Sequence, residues 1–128
     1  MKTEKEDGKG AMPKGGLRHL IAATANSLRG LRDAFRTAAA FRQECLLGVI
    51  HYAALAAVPM RFELRLALAA VFPLVLAAEL LNSAVEAVVD LVSPEWNLLA
   101  RYAKDFGSAA VFVLLALVAG LWIAAILL

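Results

Sequence analysis

Apolar and polar positions divide the chain into a polar leader, one two-faced segment and three apolar blocks. Residues 1–16 hold charge, Gly and Pro with almost no apolar side chains, which predicts a flexible leader. No apolar core with a small-residue cleavage site follows its lysines, so it does not read as a secretory signal. Its glycines and lysines are in the wrong order for a phosphate loop. Over residues 17–38, Leu17, Leu20, Ile21, Leu28, Leu31 and Phe35 fall on one helical face, and Arg18, Arg29, Arg32 and Arg36 run along its edge. This predicts an amphipathic helix lying in a membrane interface, its arginines reaching anionic headgroups. The three apolar blocks predict spans over about 40–58, 64–91 and 104–128. Pro59–Glu63 forms the first connection and Ser93–Ala103 a more polar second one, while Pro73 is a candidate kink inside the middle span.

Composition sharpens that picture. Of 128 residues 62% are hydrophobic and 19% charged, with a mean hydropathy of +0.71. So much apolar surface cannot be hidden in one small soluble core. The expected class is an all-α integral membrane protein. A net charge of +2 and 8% aromatics give no nucleic-acid footprint. A lone Cys45 excludes an intrachain disulfide and any CxxC motif. Nine lysines and arginines lie up to Arg42, and Arg101 and Lys104 follow in the second connection, against only Arg61 and Arg65 at the first. The charge bias predicts a cytoplasmic N-terminus and an external C-terminus.

The middle span carries the chemistry. Glu79, Asn82, Ser83, Glu86 and Asp90 stand at i, i+3, i+4, i+7 and i+11, and at about 100° per residue they share one narrow face. Acids inside a membrane are costly unless they face protein, water or a partner charge. Lys104 and Ser108 open the third span, and Arg42, Gln43 and Glu44 open the first, so all three spans bring polar groups to one membrane side. Carboxylates seven residues apart lie about 10 Å apart along the axis, too far to share one metal. They suit two roles: one acid for Mg²⁺ carried with substrate phosphates, another to accept a hydroxyl proton, with a lysine supporting the transferred phosphoryl group. The same stripe could line a proton or cation path, or form a purely structural polar seam. Bland readings hold elsewhere: His51 as a packed or hydrogen-bonded residue, Gly107, Ala109 and Ala110 as close helix packing, Trp122 as an interfacial anchor.

Three blocks closely resemble the prokaryotic diacylglycerol kinase family: Ala39–Glu44 (AAFRQE), Glu79–Asp90 (ELLNSAVEAVVD) and Ala103–Val111 (AKDFGSAAV). The likeness covers about residues 17–128. It implies a homotrimer of three-span subunits with an N-terminal surface helix and active sites between neighbours on the cytoplasmic side of the bacterial inner membrane. The implied reaction moves the γ-phosphoryl group of Mg-ATP to diacylglycerol, giving phosphatidic acid; a related branch phosphorylates undecaprenol. By resemblance Glu79 is the general base and Glu86 a metal and nucleotide ligand. Glu95, Asn97, Lys104 and Asp105 contact the nucleotide. Arg42, Glu44, Glu79 and Ser108 belong to the lipid site, with Asn82 and Asp90 supporting. Three positions depart from the family pattern. Ala38 stands where a second metal-binding glutamate is expected, Asn26 where a tyrosine or similar residue contacts nucleotide, and His19 where an arginine opens the surface helix. A weakened enzyme is therefore a further alternative.

Overall fold

A computed structural model describes residues 16–128; the predicted leader, apart from Gly16, lies outside the described residues. Four helices and no strand occur among them: α1 (Leu17–Thr37), α2 (Ala39–Ala57), α3 (Phe62–Val92) and α4 (Leu98–Leu127). The chain divides into two compact units between Arg32 and Asp33, within α1. In the first unit α1 starts after Gly16, whose φ of +136° lies in the region that favours glycine.

The second unit is a bundle with α3 at its centre, packed on α2 and on α4. Ala38 is the single residue between α1 and α2, extended at φ −94° and ψ 110°, and it offers no side-chain cap. The Arg42 guanidinium donates instead to the Phe35 and Arg36 carbonyls, at 3.2 and 3.1 Å, closing the end of α1. At the far end of α2 the Arg65 guanidinium donates to the Leu55 and Val58 carbonyls. These bonds satisfy backbone groups that the Pro59 turn would otherwise leave open.

Leu68 and Val75 of α3 are completely buried, and Leu55, Val71, Phe72, Val111, Val118 and Ala125 complete the core between helices. Close approach depends on two glycines. A Cβ on Gly48 would lie 2.8 Å from Phe72 Cε1, and one on Gly107 would collide with Asn82 Oδ1. In a bilayer, where burial against lipid-like neighbours supplies little drive, such small-residue contacts hold helices together. The packing reading of Gly107 therefore stands.

Helix α3 and helix α4 are long and apolar enough to cross a membrane, with 28% and 17% of their most apolar stretches buried. The core helix of a soluble protein would be mostly buried, so the chain reads as a membrane protein. The predicted second connection is shorter than expected: α4 starts at Leu98 rather than near 104. Asn97 is the reason, since its Oδ1 accepts from the Leu99 and Ala100 amides at 2.8 and 3.2 Å and starts the helix six residues early. Trp122 also differs from its expected interfacial role: its indole turns inward and donates to His51 Nδ1 at 3.1 Å.

Candidate active site

Because α2 and α3 run antiparallel, as do α3 and α4, the start of α2, the end of α3 and the start of α4 meet at one end of the bundle. The polar stripe lies there on α3 and is graded. Glu79 and Asn82 are buried at 5% and 7% exposure, Glu86 is half-buried and Asp90 is exposed.

A cavity of about 390 Å³ opens beside the buried part. Glu79, Asn82 and Glu86 of α3, Glu44 and Ala40 of α2, and Ser108 of α4 line it, with Val111, Phe112 and Leu115 on its apolar side. Along α3, Ser83 Oγ donates to Glu79 Oε1 and Asn82 Nδ2 to Glu86 Oε1, both at a weak 3.4 Å. Glu44 Oε2 and Asn82 Oδ1 are buried with no hydrogen-bond partner among the described residues. Buried acceptors without a partner are rare; Asn82 Oδ1 packs against Gly107 where α3 meets α4, and Glu44 Oε2, on the cavity-lining Glu44, is the one suited to a donor.

A second cavity, of about 290 Å³, lies at the polar end. Asp90, Glu95, Trp96, Asn97, Arg101 and Lys104 are among its walls. Lys104 Nζ lies 2.9 Å from Asp90 Oδ1 and joins α4 to α3. Asp105 lies 3.6 Å from Arg101 along α4. Trp96 is 79% exposed, an open ring beside charged groups.

The structure thus gathers Glu44, Glu79, Asn82, Glu86 and Ser108 around one cavity, and Asp90, Glu95, Asn97 and Lys104 around the other. Two predicted residues fall elsewhere. Arg42 is bound to the end of α1, and Asp105 is paired along its own helix. Asn97 has its side-chain oxygen committed to capping, leaving only its amide nitrogen for a ligand. Asn26 accepts from Arg29 within α1. No group of three or more His, Cys, Asp or Glu that could hold a metal ion occurs among the described residues.

An all-helical membrane chain with buried carboxylates and a lysine at one end of its bundle has the plan of a membrane-embedded enzyme. The chain belongs to the prokaryotic diacylglycerol kinase family, whose model matches residues 25–126. A diacylglycerol kinase of Haemophilus influenzae is 45% identical, the match covering 84% of this chain and 91% of that protein. One of Pseudomonas aeruginosa is 46% identical, covering 84% and 87%. One of Escherichia coli is 39% identical, covering 77% and 80%.

Proposed function

We propose that this chain is a lipid kinase that moves the γ-phosphoryl group of ATP to the hydroxyl of diacylglycerol, with residues 17–128 as the kinase domain. The observation that carries the reading is the Glu79 cavity: a buried carboxylate with a second, that of Glu44, on the same cavity, whose Oε2 has no hydrogen-bond partner among the described residues and suits an alcohol O–H. Glu79 accepts the hydroxyl proton as the alcohol oxygen attacks the γ-phosphorus, whose bond to the β,γ-bridging oxygen breaks and releases ADP. Ser83 and Asn82 hold the carboxyl groups of Glu79 and Glu86 in place. Lys104 and the second cavity support the nucleotide phosphates, and Lys104 exchanges its Asp90 partner for a phosphate oxygen as ATP enters.

The donor set fits Mg²⁺ only when the phosphates share its coordination. Mg²⁺ commonly takes one or two protein carboxylates with the rest from phosphate and water, and Glu86 at the edge of the cavity supplies one. Ala38 offers no second. When bound, the ion supplies neutralising positive charge to the phosphate oxygens.

The proposed setting is three spans per subunit, with α2 as the first; its 19 residues rise about 28 Å, close to a hydrocarbon core of about 30 Å. The amphipathic pattern of α1 supports a place in the interface. The many apolar side chains exposed along α2, α3 and α4 suit lipid or a neighbouring copy, and the proposed assembly is the one the family resemblance implies, a homotrimer with shared sites in the inner membrane, the polar end facing the cytoplasm.

The test is transfer from labelled Mg-ATP in mixed micelles, with a diacylglycerol and a polyprenol in parallel. Label enters diacylglycerol, and Glu79→Gln abolishes turnover while keeping nucleotide binding. Label in the polyprenol alone would reassign the substrate. ATP-independent cation flux in liposomes with no transfer would replace the kinase with a transporter, and joint loss of ATP binding and turnover in Glu79→Gln would remove the general-base role.

A further inference from the structure

Pro73 stands inside α3 with no N–H to give the carbonyl four residues earlier, that of Ala69. In the middle of a membrane span such a carbonyl needs another donor, because lipid offers none. Helix α2 provides it: Tyr52 Oη donates to Ala69 O at 2.9 Å. The phenol, 43% exposed, finds in the same bond the acceptor its own hydroxyl would lack in hydrocarbon.

A neighbouring bond reinforces this one. Trp122 Nε1–H can only donate, and it bonds His51 Nδ1; that ring nitrogen is therefore the acceptor and Nε2 carries the proton. His51 Nε2 donates in turn to Leu68 O, at 3.1 Å, one residue before Ala69. The imidazole stacks on Phe72 with centroids 4.6 Å apart, and Phe72 also fills the space over Gly48. Two consecutive side chains of α2 thus bond two consecutive carbonyls of α3.

From this staple the active-site acids lie at similar distances. Glu44 is eight residues away along α2, about 12 Å, and Glu79 ten residues from Ala69 along α3, about 15 Å. A slip or rotation of α2 on α3 at the staple would carry Glu44 away from the cavity it shares with Glu79. We infer that Tyr52, supported by His51, is a positioning residue: it closes the backbone gap made by Pro73 and holds α2 and α3 in the register that puts Glu44 and Glu79 on one cavity. The inference rests on the kinase reading for its catalytic consequence, not for the staple itself.

A four-protein cycle tests it, comparing the parent chain, Tyr52→Phe, Pro73→Ala and the double variant in mixed micelles. Each is measured for kcat, for KM of both substrates and, without substrate, for thermal unfolding. Tyr52→Phe lowers the unfolding temperature and cuts kcat about 3- to 10-fold with KM for ATP unchanged, because an orphaned carbonyl shifts the helix register. In the Pro73→Ala background the same change costs less than about 2-fold in kcat, since the restored N–H of residue 73 returns to Ala69 O. Equal effects of Tyr52→Phe on unfolding in both backgrounds, or no effect in either, would overturn the staple. Coupled unfolding with independent effects on kcat would overturn the positioning role and leave the staple standing. A parent chain that transfers no phosphate, yet shows the coupling in unfolding, would sink the kinase reading and with it the catalytic role of Tyr52.

Discussion

Gly107→Ala is the sharpest probe of how α3 and α4 meet. Its new methyl would collide with Asn82 Oδ1 and stand 3.3 Å from Asn82 Cγ and 3.6 Å from its Cα. The amide is the movable end, but Asn82 is 7% exposed and its Nδ2 is bonded to Glu86, so swinging it loosens that carboxylate. Forcing a methyl into a packed contact costs about 1–3 kcal/mol. Exchanging Gly for Ala inside a helix returns about 1 kcal/mol. The net change is about 0 to 2 kcal/mol of lost stability, with a fall in kcat because Glu86 moves. Gly120→Ala, on the same helix with nothing within 4 Å of the added methyl, carries only the propensity gain and stabilises by about 0.5–1 kcal/mol. Unfolding of the two variants in detergent, with transfer rates alongside, isolates the steric contribution. Equal stability and equal kcat for the pair would refute the contact between Gly107 and Asn82.

Two further outcomes follow from residues already placed. Ala38→Glu puts a carboxylate at the N-terminus of α2, where the helix dipole favours it by about 0.3–1 kcal/mol; titrating activity with Mg²⁺ should give half-maximal rate at a lower concentration, and an unchanged titration would remove the metal role from this position. Asn97→Ala removes the cap of α4 and costs about 0.5–2 kcal/mol of stability, whereas Asn97→Asp retains it. Thermal unfolding of both variants reads this directly, and equal losses would show that the cap oxygen is not what Asn97 provides.

The stripe on α3 was legible because polar residues at a period of 3.6 stand out against an apolar background, and a rigid helix converts that spacing into one face. The grouping of Glu44, Glu79, Asn82, Glu86 and Ser108 followed from consecutive antiparallel helices. The start of α4 was obscured because Leu98–Arg101 mixes apolar and charged residues like a connection, while the deciding signal was the single oxygen of Asn97. The bond from Tyr52 to the carbonyl freed by Pro73 was beyond the sequence, since it depends on the register of two helices and no periodicity records that. Trp122 read as an anchor for the same reason: its partner His51 is 71 positions away.

The graded burial from Glu79 through Glu86 to Asp90 spans about 16 Å of helix rise, which on the proposed membrane setting reaches from the hydrocarbon toward water. On the proposed reading, an oily alcohol and a highly charged nucleotide never need to share a medium. Each stays in the phase where it dissolves, and only the hydroxyl and the terminal phosphorus meet at the seam. Substrate choice then becomes partly a matter of immersion. An alcohol held too shallow or too deep misses Glu79 however well its chains fit, so bilayer thickness would itself regulate the reaction, with no effector bound.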